Sequence, residues 1–194
     1  AAQEADYKQF YADYYVPNNA TLSIAGDINT DEAKTLVAKY FGSIPKKKDP
    51  YRPNIVEPAL GGEVRDTIFD NVQLPAVIQT YRIPAQGTPD YYAMTMLSQL
   101  LSQGESSRLH KALIDQQQKA LFVGNFPLSL EDPGVSIAFG ICNAGVDPKD
   151  VEASMDAEVQ RVQNELIGET EFQKLRNQVE NDFVSTNSTV QGIA

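Results

Sequence analysis

The sequence predicts an α+β fold in which helices pack on one face of a mostly antiparallel sheet. Apolar residues alternate with other residues in short runs at 75–82, 120–126 and 135–141, and such alternation is typical of strands. Apolar residues recur at helical spacing in the stretches between and after these runs. Strands and helices that come in separate groups along a chain favour an α+β arrangement.

Three elements are predicted in the first part of the chain. Residues 4–15 carry aromatic side chains near helical spacing and predict a helix that Pro17 ends, with no capping residue at its start. Leucine and isoleucine alternate with polar residues at 20–25, which predicts a strand. Asn29 opens a capping box, so a second helix is expected from there to Gly42.

Residues 46–60 are predicted to be an extended linker. Pro50 and Pro53 interrupt regular structure, and the lysines at 46–48 are a run of solvated charge. A domain boundary is therefore expected in this stretch.

A strand hairpin is predicted after the linker. Its strands are 63–69 and 75–82, joined by a turn at Asp70-Asn71. With the two later strands, these runs are expected to form the main sheet.

Four helices are predicted in this second part, each with a capping residue at its start and an apolar stripe that faces the core. The first runs from Thr88 to Gly104 with Ala93, Met96, Leu97 and Leu100 inward, and the second starts at Ser106 or Ser107 with Leu109, Ala112 and Leu113 inward. The third runs from Asp147 to Gly168 through Val151, Met155, Val159, Val162 and Leu166, and the fourth starts at Thr170 with Phe172, Leu175, Val179 and Phe183 inward.

Composition and charge exclude several classes of function. The net charge of −10 and the pI near 4.5 argue against nucleic-acid binding, which depends on Lys and Arg at phosphates. No apolar run approaches the roughly 20 residues of a membrane-spanning helix, and the first residues have no signal-peptide pattern. Cys142 is the only cysteine, which excludes an intramolecular disulfide and is expected to be an unreactive residue at a strand end.

The chain lacks the residues for a catalytic zinc site. His110 is the only histidine, whereas zinc hydrolases of the H-x-x-E-H type and its inverted form need two imidazoles one helical turn apart. Ser102, Ser106 and Ser107 lie near His110 in sequence but outside any nucleophile elbow, so they are expected to cap helices. No catalytic and no metal-binding residue is therefore predicted.

Several short stretches, in order, resemble the pitrilysin/insulinase family of zinc metallopeptidases. They are Tyr14 to Asp27 (YYVPNNATLSIAGD), Tyr40 to Pro45 (YFGSIP), Leu74-Pro75, Gly104 to Leu109 (GESSRL) and Thr170 to Lys174 (TEFQK). Each is short, but their order and spacing together are specific.

The resemblance implies a metallopeptidase-like sandwich and the non-zinc-binding half of such an enzyme. Residues 1–45 would be the tail of the preceding zinc-binding-type domain, 46–60 the linker and 61–194 an inactive peptidase-like domain whose C-terminal end lies beyond this chain. The resemblance implies no cofactor in this chain and zinc in the parent or partner. The implied partners are a zinc-binding domain or subunit and an unfolded peptide substrate, in the bacterial periplasm or cell envelope.

The resemblance also suggests substrate-contact residues. Some family members have an arginine, and seven residues later a tyrosine, where a helix passes into a strand, and Ile114 and Leu121 occupy the matching positions here. Neither side chain can donate a hydrogen bond, which departs from the family pattern. Ser107 and Arg108 in the GESSRL stretch are the other two candidates.

An alternative of a different class remains open. The same fold without hydrolysis occurs in structural core proteins related to this family, so the parent could be a non-enzymatic partner subunit or assembly scaffold. An H-x-x-E-H motif upstream in the parent would distinguish a protease from a scaffold.

Overall fold

The computed structural model describes residues 2–54 and 56–194. The chain has two compact units, one of Ala1–Asp66 and Phe183–Ala194 and one of Thr67–Asp182. The helices are α1 (Glu4–Tyr14), α2 (Thr30–Phe41), α3 (Pro89–Ser102), α4 (Pro148–Asn164), α5 (Glu169–Thr186) and α6 (Val190–Ile193), with a 3-10 turn at Pro17–Asn19 and a π-helix at His110–Gln116. The strands are β1 (Ala76–Ile83), β2 (Ala120–Leu128) and β3 (Gly134–Cys142).

Helix ends follow the predicted capping chemistry at several points. Asn29 accepts hydrogen bonds from two backbone N–H groups of the first turn of α2, and Thr88 and Asp147 do the same for one N–H each in α3 and α4. Two end predictions were wrong. Helix α1 does have a capping box, formed by Gln3 and Asp6, and α5 begins at Glu169 rather than after Thr170.

The predicted strand at 20–25 is wrong. This segment makes no ladder with another strand, and Leu22 and Ile24 are about half exposed. Alternation indicates that a segment suits a sheet, but a strand forms only when a second strand supplies the backbone hydrogen bonds. Within the described residues no segment does so here.

The predicted hairpin of 63–69 with 75–82 is also wrong. Residues 63–69 have no ladder, and Val64 and Ile68 are both 86% exposed. Strand β1 instead pairs with β3, which lies more than 50 residues later in the chain. The turn signal at Asp70-Asn71 could not reveal this, because a tertiary contact selected the pairing.

The three strands form one antiparallel sheet in the order β1-β3-β2. In the register, Phe139 at the middle of β3 lies between Ile78 of β1 and Gly124 of β2. Strand β2 has an irregularity between Ala120 and Phe122, where one residue has no partner on β3. The predicted strands at 75–82, 120–126 and 135–141 are thus confirmed.

The core of the second unit lies between the sheet and the helices on one of its faces. Its fully buried side chains are Leu109, Leu113, Cys142, Val151 and Met155. The α+β class with helices on one face of an antiparallel sheet is therefore confirmed.

Small residues of β3 make this close packing possible. Gly140 faces α4, and a methyl group at its Cα would lie 2.9 Å from Val151 Cγ1 and 3.3 Å from Met155 Sδ. Ser136, Ala138 and Cys142 face the same side and are buried. The helices thus approach the sheet over the small side chains of β3.

Several predicted inward residues lie outside the core. Ala93 is exposed on α3, and Leu166 is fully exposed because α4 ends at Asn164 rather than at Gly168. On α5 only Leu175 of the predicted stripe is buried, while Phe172, Val179 and Phe183 are exposed. Helical periodicity identifies an apolar face but does not say whether another element covers it. None of the described helices combines the length and the apolar character that crossing a membrane requires.

Candidate functional site

The passage from the π-helix into β2 holds two of the predicted contact residues. Gln117 N donates to Ala112 O at 3.0 Å, which is the i to i−5 bond of a π-helix. Gln118 follows with a φ of 53°, in the left-handed region, and Lys119 N donates to Leu113 O at 2.8 Å. A helix with α periodicity was expected here, so the π-helix and the left-handed residue were not predicted.

Ile114 and Leu121 differ in their environment. Ile114 is half-buried and packs against the core cluster. Leu121 is the residue without a β3 partner between Ala120 and Phe122, and its side chain is 60% exposed. Bulges commonly redirect a side chain away from the regular alternation. The structure thus places Leu121 on the surface and Ile114 against the core.

Arg108 forms a two-pronged ion pair with Glu171 of α5. Arg108 Nη2 donates to Glu171 Oε2 at 2.8 Å and Arg108 Nε donates to Glu171 Oε1 at 3.1 Å. The hydrogen bonds from Arg108 lower the pKa of Glu171, and those to Glu171 raise the pKa of Arg108. No sequence pattern indicates this pairing, because 63 residues separate the two side chains.

The serines near His110 do not cap helices with their hydroxyl groups. Ser107 is only 2% exposed, and its hydroxyl has no hydrogen-bond partner among the described residues. Ser106 Oγ contacts the Lys174 ammonium. Ser102 Oγ donates to the Asn125 carbonyl at 2.8 Å. The capping prediction was therefore wrong. The hydroxyl groups of Ser102 and Ser106 contact residues of other elements, and the hydroxyl group of Ser107 caps no helix.

The residues present do not fit a zinc ion. Within the described chain, no three side chains of the His, Cys, Asp and Glu types come close enough together to hold a metal. His110 Nδ1 lies 3.6 Å from Asp115 Oδ1, a single carboxylate. Cys142 is completely buried at the end of β3, and burial raises the pKa of its thiol.

A cavity of about 200 Å³ lies beside the Arg108–Glu171 pair. Lys111 and Arg161 add positive charge to its wall, and Glu158 adds a second carboxylate. Three cationic side chains and two carboxylates therefore line the cavity, and His110 and the serines near it are not among the lining residues.

The sheet face opposite the helices is apolar and open. Its exposed members are Ile78, Phe122, Phe126 and Leu128, and its half-buried members are Val135, Ile137, Phe139 and Ile141. We call these eight residues the open sheet face. Phe139 lies at its centre, with ring centroids 5.7 Å from Phe122 and 6.3 Å from Phe126. Contiguous exposed apolar patches of this kind mark interaction sites in soluble proteins.

The two faces of β3 differ in the size of their residues. The helix-facing residues are small, whereas the residues of the opposite face are large and apolar. This difference is visible in the sequence, but which of the two faces the helices cover follows only from the tertiary structure.

A family model described as the peptidase M16 inactive domain matches residues 2–179 of this chain. The chain belongs to the peptidase M16 inactive-domain family. This confirms the resemblance to the pitrilysin-type zinc metallopeptidases and to their inactive region. The matched range includes the π-helix, the Arg108–Glu171 pair and the whole sheet.

Relatives of this M16 inactive-domain chain include zinc proteases. The zinc protease PqqE of Helicobacter pylori is 28% identical over 192 residues, which cover 97% of this chain and 43% of the relative. A crystal structure of a protease from Helicobacter pylori matches with a TM-score of 0.93 and 26% identity, over 100% of this chain and 47% of that one. This chain therefore spans less than half the length of either relative.

A more distant structure shares the fold. The first half of the periplasmic protease PqqL of Escherichia coli matches with a TM-score of 0.63 and 17% identity, over 96% of this chain and 41% of that one. At this identity the likeness concerns the fold alone.

Proposed function

We propose that this chain is a non-catalytic part of a pitrilysin-type zinc endopeptidase that closes the peptide-binding chamber and contacts unfolded substrate. The observation that carries the proposal is the open sheet face, an apolar surface without catalytic groups that suits the side chains of an unfolded peptide. The lack of a zinc-binding cluster in the described residues and the similarity to zinc proteases support the assignment of the chemistry to another part of the parent.

The proposal gives each part of the chain a role. Residues 1–45 are the tail of the zinc-binding-type domain, 46–60 the linker and 61–194 the chamber-closing domain. Leu121 is the preferred substrate-contact residue because its side chain is exposed beside the open sheet face. Ile114, Ser107 and Arg108 are less exposed than Leu121 and are the other proposed substrate-contact residues. The periplasmic location of the Escherichia coli relative motivates a periplasmic location for the parent.

The test is peptide cleavage by the purified chain, alone and mixed with the zinc-binding half of the parent. We expect no turnover and no stoichiometric zinc from the chain alone, and turnover of an unstructured fluorogenic peptide on mixing. Turnover or stoichiometric zinc with the chain alone would refute the proposal. Inertness of a correctly assembled mixture would favour the scaffold alternative.

Substitutions on the open sheet face locate the peptide contact. The double change Phe122→Ser and Phe126→Ser should raise KM in the mixed enzyme with little change in kcat, because these rings would bind substrate without touching the scissile bond. Tyr92→Ser is the matched control, since Tyr92 is 60% exposed on α3, away from this face. Equal effects of the two variants would contradict a specific contact.

A further inference from the structure

The passage from the π-helix into β2 is bound by Asn143, the residue that follows β3. Asn143 Nδ2 donates to Gln118 O at 3.2 Å, and Asn143 N donates to Lys119 O at 2.8 Å. Asn143 Oδ1 accepts from Ala144 N at 3.0 Å. A backbone N–H can only donate and a carbonyl can only accept, so these partners fix the orientation of the Asn143 amide. One residue thus binds two consecutive carbonyl groups of the passage.

This contact determines where the irregularity of β2 lies. The stretch 141–143 lies opposite the stretch 119–122, so four residues of one segment match three of the other. The ladder leaves Leu121 as the residue without a partner. The hydrogen bonds from Asn143 fix the first residue of the longer stretch, which confines the extra residue to position 121.

Without Asn143, the irregularity could move by one residue towards the π-helix. Leu121 would then lie opposite Cys142, which is completely buried on the helix-facing side of β3. Residues directly opposite each other in an antiparallel pair direct their side chains to the same side of the sheet. The shift in register would therefore move the Leu121 side chain from the surface to the helix-facing side.

Ser154 of α4 binds the side chains of the same passage. Ser154 is 6% exposed, and its Oγ accepts from Lys119 Nζ at 2.9 Å and lies 2.7 Å from Gln117 Oε1. Its single hydroxyl hydrogen can bond to Gln117 Oε1 or to Asp150 O, which lies 2.8 Å away. The passage is therefore tied to α4 as well as to the end of β3, and all of these contacts lie within the second unit.

We propose that Asn143 is a positioning residue that keeps Leu121 directed towards the peptide, with Ser154 supporting the same passage. The inference rests on the proposed function, because it takes Leu121 as a residue that contacts substrate. Bulges often occur beside active sites, where they redirect a side chain. Asn143 acts through the register of β2 with β3 and needs no contact with the peptide.

A thiol at position 121 tests the register without a zinc-binding partner or a substrate. Cys142 is completely buried, so rapid labelling of the Leu121→Cys variant of the 194-residue chain reports on position 121. The added change Asn143→Asp replaces the donor to Gln118 O with a carboxylate oxygen, and labelling should slow at least about threefold. A merely destabilised chain would be labelled faster, so the direction of the change separates the two explanations.

Two further variants complete the labelling experiment. Asn164→Asp is the matched control, because Asn164 Nδ2 donates to Gln160 O at 2.8 Å within α4 and the change adds the same charge. It should leave the labelling rate unchanged. Ser154→Ala should also slow labelling, and it decides the question if Asn143→Asp fails to fold. Labelling that is unchanged or faster after Asn143→Asp would overturn the proposal.

A double-mutant cycle in the mixed enzyme tests whether Asn143 acts through Leu121. Asn143→Asp and Leu121→Ala should each raise KM about threefold with little change in kcat, because neither alters a group at the scissile bond. The two changes together should raise KM no further than Leu121→Ala alone, since they remove the same contact.

The cycle also separates this inference from the proposed function. Additive effects of the two changes, or an unchanged KM in an active mixture, would overturn the inference and leave the proposed function standing. An inert mixture of correctly assembled parts would instead count against the proposed function, and the labelling rates would still decide whether Asn143 sets the register.

Discussion

The change Glu171→Gln removes the negative charge that Arg108 pairs with, while keeping nearly the same shape. The Arg108 side chain is 13% exposed and the Glu171 side chain 33% exposed, so the pair is largely shielded from water. Breaking a fully buried pair costs about 3–5 kcal/mol, and an exposed pair contributes at most about 1 kcal/mol. We therefore expect the second unit to lose about 2 kcal/mol of unfolding free energy at pH 7.

The assay uses Cys142 as a local probe, because the chain has two units and global unfolding need not be two-state. The thiol is completely buried, so its labelling in urea reports opening of the second unit. With a slope of roughly 2 kcal/mol per molar urea, the midpoint should fall by about 1 M. Glu180→Gln on the same helix is the control, since its ion pair with Arg176 is about 60% exposed and should shift the midpoint little.

The pH dependence has a definite sign. The pKa of Glu171 is lower in the folded chain than in the unfolded one, so the pair contributes fully above the unfolded value of about 4.3. That contribution is lost as the pH falls through the lower folded value. The stability difference between the parent sequence and Glu171→Gln, followed by circular dichroism, should therefore shrink from pH 7 to about pH 3. A difference below about 0.5 kcal/mol at pH 7, or one that does not change with pH, would refute the reasoning.

Three further predictions concern packing, backbone strain and thiol reactivity. Gly140→Ala should destabilise the second unit by about 1–3 kcal/mol in urea, because its methyl group would overlap Val151, and an unchanged urea midpoint would contradict this. Gln118→Gly should stabilise the same unit by about 0.5–1 kcal/mol by relieving the left-handed φ, and a loss of stability would contradict this. Cys142 should react with a thiol reagent in the native chain at least about a hundredfold more slowly than in the urea-unfolded chain, and comparable rates would show that it is not buried.

The sequence was sufficient for most helices because their signals are local. Capping residues such as Asn29, Thr88 and Asp147 satisfy N–H groups two or three residues away, so their effect does not depend on the rest of the fold. Helical spacing also placed Leu109 and Leu113 correctly in the core. The family resemblance was equally accessible, since it rests on short stretches in a fixed order.

The candidate site was less predictable, because its features depend on contacts between distant residues. Position 114 and position 121 could be matched to the family pattern, but the irregularity that exposes Leu121 follows from the register with β3. The partner of Arg108 is on a helix 63 residues away. The open sheet face needed the knowledge of which side the helices occupy.

The sequence by itself determined the fold class, the family, the positions of most helices and of three strands, and the lack of a pair of histidines for zinc. Tertiary structure decided strand pairing and burial. Alternation made 20–25 and 63–69 look like strands, yet only segments with a partner became part of the sheet, because backbone hydrogen bonds between strands join residues far apart in the chain. The tertiary structure also decided which apolar residues stay exposed, since a side chain is buried only where another element packs against it.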